Sequence, residues 1–269
     1  MRNLECLELF RDIEDLIIRG SRISALDALP RFKKLTTLCI DTPRSNSRSL
    51  AVLAALSLDA LIVRITTEND VRDIGSCGYI RHVELVGYPE HDLESLQALQ
   101  CRVFCIGGGN LVNVSGFSWP CPYLRFAQCK KLLSVADAET EYLSIQGCRR
   151  LDFDTVSHVK GLRFVQVMDQ KMLSSLSFAS PMLELRQMEI TASSVAKRAL
   201  DSFVSPPNLE RLWISPCKEK QSLKHISKRS PDLGVANGGW CFVGGEELSL
   251  NHYHKDWNFD IRQVTGRED

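Results

Sequence analysis

Residues 124–135 read LRFAQCKKLLSV, and residues 143–153 read LSIQGCRRLDF. In each stretch two apolar residues are spaced by two, Leu124 with Phe126 and Leu143 with Ile145, and a cysteine follows three residues later. Side chains spaced by two lie on one face of a β-strand, and the residue between them lies on the other face. The two stretches therefore predict short strands that occupy equivalent places in neighbouring repeats.

The same apolar pair recurs from one end of the chain to the other. Its spacing averages about 22 residues, which is typical of a solenoid in which each repeat adds one strand. The position three residues before each pair is apolar in nine of the ten repeats. The pairs are Leu16/Ile18, Leu38/Ile40, Leu61/Val63, Val83/Leu85, Phe104/Ile106, Leu124/Phe126, Leu143/Ile145, Val165/Val167, Met188/Ile190 and Leu212/Ile214.

The segments between the strands carry a different apolar spacing. Leucines at intervals of three, as at Leu26/Leu29 and Leu50/Leu53, favour helical or 3₁₀ returns packed against the strands. Residues 194–204 (SVAKRALDSFV) have an apolar stripe and a capping serine, Ser194, and predict a true helix. The fifth to seventh returns are shorter, so we expect them to be extended.

Composition limits the class of protein. The chain has 269 residues, 44% of them hydrophobic, and its 33 basic and 33 acidic side chains cancel. This balance excludes a disordered chain and argues against nucleic-acid or membrane binding. The sequence has no apolar run of membrane-spanning length and no signal-like start, so we expect a cytoplasmic monomer whose ten cysteines are thiols.

The repeats resemble the leucine-rich repeat family, whose core motif is L-x-L-x-x-N/C-x-x-L. Cys129, Cys148 and Cys217 stand where that family places its inward-turned ladder residue. The resemblance covers residues 4–233 and implies an α/β fold: a curved solenoid with a parallel β-sheet on its concave face and short helical or extended returns on its convex face. We expect an N-terminal cap over 1–12, the solenoid over 13–233 and a β-rich C-terminal cap and tail over 234–269.

Few residues suggest chemistry. His252 and His254 alternate on one predicted strand and could share a metal ion, although no third ligand is evident apart from nearby acidic residues. Cys101/Cys105 and Cys121/Cys129 lack zinc-site spacing and are interpreted as core residues. The triglycine 107–109 lacks the lysine of a phosphate loop and is interpreted as a turn with positive φ. We therefore expect no cofactor and no bound metal.

The residues beside each apolar pair are predicted to lie on the open face of the sheet. Three successive repeats place aromatic rings there, at Tyr123, Tyr142 and Phe164, and interface-prone side chains surround them. The alternative is that these rings only stabilise one another across strands. The predicted partner-binding residues are Tyr123, Arg125, Tyr142, Phe164, Gln166, Met168, Glu189, Arg211 and Trp213.

These features favour a non-enzymatic module that binds another protein through its concave face. The resemblance to stand-alone repeat proteins suggests a bacterial toxin-neutralising immunity protein or an effector adaptor. The alternative from another class is a metal-dependent or thiol-using enzyme with a site near His252/His254.

Overall fold

The computed structural model describes residues 12–19, 26–41, 49–116, 119–176, 178 and 180–248. The chain divides into two compact units, an N-terminal unit over Met1–Cys121 and a C-terminal unit over Pro122–Asp269. The predicted N-terminal cap, apart from its last residue, and the His252/His254 pair lie outside the described residues.

The N-terminal unit contains a parallel sheet whose strands follow one another in chain order. Each strand contains one of the predicted apolar pairs, so all five strands expected here are confirmed. They are β1 (Asp15–Arg19), β2 (Thr37–Asp41), β3 (Ala60–Arg64), β4 (His82–Tyr88) and β5 (Val103–Gly109).

The C-terminal unit has the same parallel arrangement, followed at its end by antiparallel strands. Its parallel strands are β6 (Tyr123–Ala127), β7 (Tyr142–Gln146), β8 (Phe164–Met168), β10 (Gln187–Thr191), β12 (Arg211–Ser215) and β13 (Gly234–Ala236). The strands β14 (Cys241–Val243) and β15 (Glu246–Leu248) continue the sheet in antiparallel pairing. Two short strands, β9 (Met172–Leu173) and β11 (Ser194–Val195), pair with each other in a separate parallel ladder.

Register explains why the apolar pairs form the core. Leu124 lies opposite Leu143, which lies opposite Val165, and Phe126, Ile145 and Val167 align in the same way. All twenty side chains of the ten pairs are buried, with none more than 9% exposed. Burying an aliphatic side chain stabilises a fold by about 1.5–3 kcal/mol, so these columns provide a large part of the stabilising free energy.

Helical returns connect many of the strands. Short 3₁₀ segments occur at Leu29–Arg31, Ala51–Ala55, Glu94–Leu96 and Phe153–His158, so the seventh return is not wholly extended as we expected. The α-helices are α1 (Glu68–Gly75), α2 (Lys197–Asp201) and α3 (Lys220–Arg229).

The helix predicted over 194–204 is shorter than expected, because α2 begins only after Ala196. Ser194 and Val195 pair with Met172 and Leu173 as strand β11, so the first residues of the predicted helix belong to a ladder instead. Helix α1 was not among the predicted elements; its local signal is a capping box in which Thr67 and Asp70 exchange side-chain and backbone hydrogen bonds.

The triglycine ends strand β5 and does not form the expected turn, but two of its three residues have the expected positive φ. Gly108 and Gly109 have φ values of 71° and 93°, in the left-handed region that favours glycine. A side chain at Gly109 would also collide with the backbone of Tyr88 on β4. These glycines therefore serve backbone geometry and close strand approach.

Each unit is thus a leucine-rich-repeat-like α/β solenoid segment, with one parallel strand per repeat and short helical returns. At the C-terminal end, β13 falls within the segment predicted as a cap and pairs in parallel with β12 before the antiparallel strands begin. Within the described ranges, no helix is long and apolar enough to cross a bilayer.

Candidate protein-binding face of the C-terminal unit

The predicted aromatic residues form one continuous stack on the open face of β6, β7 and β8. Ring centroids lie 4.5 Å apart for Tyr123 and Tyr142 and 4.4 Å apart for Tyr142 and Phe164, with interplanar angles of 23° and 15°. The in-register parallel pairing of the strands sets this spacing, because residues directly opposite each other have closely spaced Cβ atoms.

The expected exposure of these rings is wrong. Tyr123, Tyr142 and Phe164 are only 8%, 5% and 2% exposed. Alternation correctly places them opposite the core, but stacking covers both faces of the Tyr142 ring and one face of Tyr123 and of Phe164. Burial also raises the pKa of the Tyr142 phenol, an effect strengthened by Tyr123 and Glu189 and opposed by Arg125. The stack is therefore a neutral, solvent-poor floor of this face.

A row of hydrogen-bonded polar side chains lies next to the aromatic stack. Ser144 Oγ donates to Gln166 Oε1 at 3.2 Å, and Gln166 Nε2 donates to Glu189 Oε2 at 3.1 Å. At the other end of the row, Arg125 Nη2 donates to Gln146 Oε1 at 2.8 Å. These bonds connect neighbouring strands and fix the rotamers of long side chains that would otherwise lose entropy on binding.

The remaining predicted binding residues are partly exposed. Gln166 lies opposite Glu189 and Glu189 opposite Trp213 in the register of β8, β10 and β12, while Arg211 lies opposite the buried Gln187. The structure thus brings all nine predicted residues onto one face of neighbouring strands. The partly exposed members are Arg125, Gln166, Met168, Glu189, Arg211 and Trp213.

The structure adds two residues to this face that sequence reasoning did not select. Ser144 is fully buried and Gln146 partly exposed, and both anchor the polar row. Ser144 lies between the two members of an apolar pair, Leu143 and Ile145, but a small hydroxyl gives no sequence signal for binding. Its role depends on Gln166, which is 22 residues away.

The ladder positions after β6 and β7 are occupied as the repeat predicts. Cys129 and Cys148 are fully buried. The Cys148 thiol lies 3.4 Å from the carbonyl oxygen of Phe126 and 3.5 Å from that of Gln146, so it links two turns. Hydrogen bonding with Cys129 lowers the pKa of the Cys148 thiol and outweighs the opposing effect of burial. Complete burial nevertheless keeps this sulfur away from substrates.

Two later ladder residues are better hydrogen-bonding groups than cysteine. The side-chain amide nitrogen of Gln170 donates to the carbonyl oxygen of Cys148 at 3.0 Å, and the amide oxygen accepts from the backbone nitrogen of Cys148 at 3.1 Å. Asn237 follows β13 and donates to the carbonyl oxygen of the less buried Cys217 at 2.9 Å. These contacts show how each turn hydrogen-bonds the preceding one.

The described cysteines that were considered as possible reactive or metal-binding residues are part of the core. Cys101, Cys105 and Cys121 are buried core side chains, as expected, and the nine described cysteines are thiols. Burial raises the pKa of the Cys101 thiol, and nearby Cys121 and Cys105 add to the increase. Among the residues that the structure describes, no group of three or more His, Cys, Asp or Glu side chains could hold a metal ion.

Comparison with known proteins adds little beyond the geometry. No protein-family model and no curated protein matches the chain. Among solved structures, the chain is similar to an internalin, InlF, from Listeria monocytogenes, with 14% sequence identity and a TM-score of 0.45. The match covers 86% of this chain and 77% of the internalin chain. The fold assignment therefore rests on the strand register and the buried repeat columns described above.

Proposed function

We propose that the chain is a non-enzymatic protein-binding module and that the open face of β6, β7, β8, β10 and β12 is its binding surface. The observation that carries the proposal is a single surface on which partly exposed polar and aromatic side chains rest on a rigid, stacked floor. In this proposal the module binds its partner as a monomer.

The buried aromatic stack and the partly exposed polar row beside it have different roles. The buried rings Tyr123, Tyr142 and Phe164 hold the strands in register, and the row of Gln166, Glu189 and their neighbours meets the partner. Side chains that are already held by hydrogen bonds lose less conformational entropy when a complex forms. This division assigns contact to the partly exposed residues and positioning to the stack.

The residue types of the exposed row suit a protein partner. Trp213, Arg125 and Arg211 combine large contact area with polar or cationic atoms, as energetically important interface residues do, and Met168 adds an apolar side chain of a type enriched at interfaces. Glu189 gives the row an acidic centre between these cations. A partner surface with apolar side chains and both charge signs would complement it.

Site-specific photo-crosslinking tests this proposal. A photo-reactive amino acid is introduced at Met168 on the open face or at exposed Lys197 on α2, and crosslinked proteins from the native host are identified by mass spectrometry. We expect one protein to be captured from Met168 only. Gln166→Ala with Glu189→Ala should prevent its capture, whereas Arg198→Ala on α2 should not. Capture from Lys197 but not from Met168 would contradict the proposal.

The narrower form of the proposal is that the partner is a toxin or an effector, as the resemblance to immunity and adaptor proteins suggests. A captured toxin should lose its activity when the wild-type chain is added in equimolar amount. The Gln166→Ala, Glu189→Ala variant should not inhibit it.

A further inference from the structure

Two successive turns on the C-terminal unit present basic residues in the same geometry. After β6, Leu132 N donates to Cys129 O at 3.1 Å, which closes a turn with Lys130 and Lys131 at its centre. After β7, Leu151 N donates to Cys148 O, also at 3.1 Å, around Arg149 and Arg150. The turns repeat because buried cysteines occupy the same ladder position in both.

A third turn extends the basic surface. The backbone register continues beyond the strands, since Gln128 N donates to Gln146 O and Gly147 N donates to Met168 O. In this register Arg149 lies opposite Lys130 of the preceding turn, and Lys171 lies opposite Arg149. We name the five cations Lys130, Lys131, Arg149, Arg150 and Lys171 the carboxyl-edge patch. Neighbouring parallel strands are about 4.8 Å apart, so the patch extends over about 10 Å along the sheet.

All five cations of the carboxyl-edge patch are exposed, and within the described ranges none forms an ion pair. The opposite edge of the same sheet is built differently. There Arg163 pairs with Glu141 at 3.3 Å, and Arg186 pairs with Glu210 at 3.4 Å. One edge is thus neutralised between neighbouring turns, and the other presents like charges side by side.

Like charges in register repel each other and reduce stability, whereas cross-turn pairs of opposite charge do not. An isolated charge run is often only a solvated surface. Here, however, the same dibasic pair occupies the same turn position twice, in a chain whose net charge is zero. The arrangement concentrates positive potential on one small area and so favours an anionic ligand.

Two acidic residues limit the size of that ligand. Asp169, which accepts a hydrogen bond from Gln128, lies on the strand side of the patch, and Asp152 lies just beyond Arg150. A long polyanion such as a nucleic acid needs a continuous basic track, and these carboxylates would repel it. A short acidic peptide can place its carboxylates on two or three turns without meeting either aspartate.

We propose that the carboxyl-edge patch binds an acidic segment of a partner protein, rich in Asp or Glu. This inference rests on the proposed function and adds the chemistry of one part of the partner. The open face supplies the apolar and mixed contacts, and the patch supplies charge recognition at the ends of β6, β7 and β8.

Fluorescence anisotropy tests the patch without the natural partner. The probes are a labelled glutamate-rich peptide, the glutamine version of the same length, and a single-stranded DNA of equal charge. In the patch variant Lys130, Lys131, Arg149 and Arg150 are each replaced by Gln. In the matched control variant four exposed cations elsewhere in the unit, Lys197, Arg198, Lys218 and Lys224, are replaced by Gln.

We expect the wild-type chain to bind the glutamate peptide and not the glutamine peptide. The patch variant should bind at least about tenfold more weakly, since each lost exposed ion pair contributes a modest amount, and the control variant should bind within about twofold of wild type. Exchanging lysine for arginine and arginine for lysine at the same four of the five patch positions should retain binding. This exchange separates a loss of charge from a loss of folding.

Three results would overturn the proposal: no binding of the glutamate peptide, equal weakening in the patch and control variants, or tighter binding of the DNA than of the peptide. The Gln166→Ala, Glu189→Ala variant should bind the peptide as wild type does. Failure of the patch is therefore distinguishable from failure of the open face.

Discussion

Both faces of β6, β7 and β8 carry buried side chains, but for different reasons. On the core face, Leu143 and Ile145 pack between strand and returns and are 0% exposed. On the open face, Tyr142 is 5% exposed because rings on both neighbouring strands stack against it. Core-face side chains are buried because strand and return of each repeat pack against each other. Open-face rings are buried because side chains from neighbouring repeats meet in the folded register.

This difference shows that strand alternation identifies faces but not exposure. Tyr142 stands at a predicted outward position and is nevertheless buried, because its neighbours in both adjacent repeats carry rings as well. We therefore propose the polar row beside the stack as the contact surface of the C-terminal unit, with the rings as its support. The following predictions test that distinction, from the largest expected effect to the smallest.

The core face should be the most sensitive to truncation. Leu143→Ala should lower the free energy of unfolding by about 2–5 kcal/mol, because it removes a fully buried side chain and leaves a cavity. Urea denaturation monitored by circular dichroism measures this. Arg149→Ala, at an exposed turn position, should change stability by less than about 0.5 kcal/mol. Equal losses in the two variants would contradict the register.

The stack should contribute next. Tyr142→Ala removes the middle ring and both stacked pairs, so we expect a loss of about 2–3 kcal/mol in unfolding free energy. Tyr142→Phe keeps the ring and should retain most of that stability under the same denaturation conditions. If Tyr142→Ala proved neutral, the ring would be an exposed contact residue, as its sequence position suggests.

The polar row should contribute less to folding than the stack. Ser144→Ala removes the hydroxyl that donates to Gln166 and should cost about 1 kcal/mol, a typical value for one hydrogen bond. The same variant should weaken partner capture, because Gln166 loses one of its two positioning contacts. A variant with lower stability and unchanged capture would show that Gln166 is held by other means.

The smallest effect concerns alkaline pH. Burial raises the pKa of the Cys77 and Cys241 thiols to about 11, with Asp73 adding to the effect at Cys77, from about 8.5 in an unfolded chain. A raised folded-state pKa means that the stabilising contribution is complete below the unfolded value and is lost as pH rises from about 8.5 to about 11. Unfolding free energy should fall over this range.

The control for this prediction is the Cys77→Ala, Cys241→Ala variant, which lacks both thiols. Its unfolding free energy should fall less steeply over the same pH interval in matched urea titrations. An identical slope would assign the alkaline loss to other groups, such as buried Tyr88, whose pKa burial also raises.

Much of the fold was predictable because its signal is local. The ten predicted strands all form around their apolar pairs, and all twenty pair positions are buried. The helices were less predictable. The first residues of the predicted helix form strand β11 instead, which pairs with β9, a segment 22 residues away. Alternation predicted that the candidate binding residues lie opposite the core, as the strand register has them, but their exposure depended on neighbours from other repeats.

The sequence by itself determined the strand positions, the core face and the length of the repeat, because alternation and spacing are properties of a single chain segment. Only the tertiary structure decided which open-face side chains are buried, which hydrogen bonds hold the polar row, and how the dibasic turns align. Those features arise between repeats about 20 residues apart, where backbone register brings together side chains that no local pattern connects.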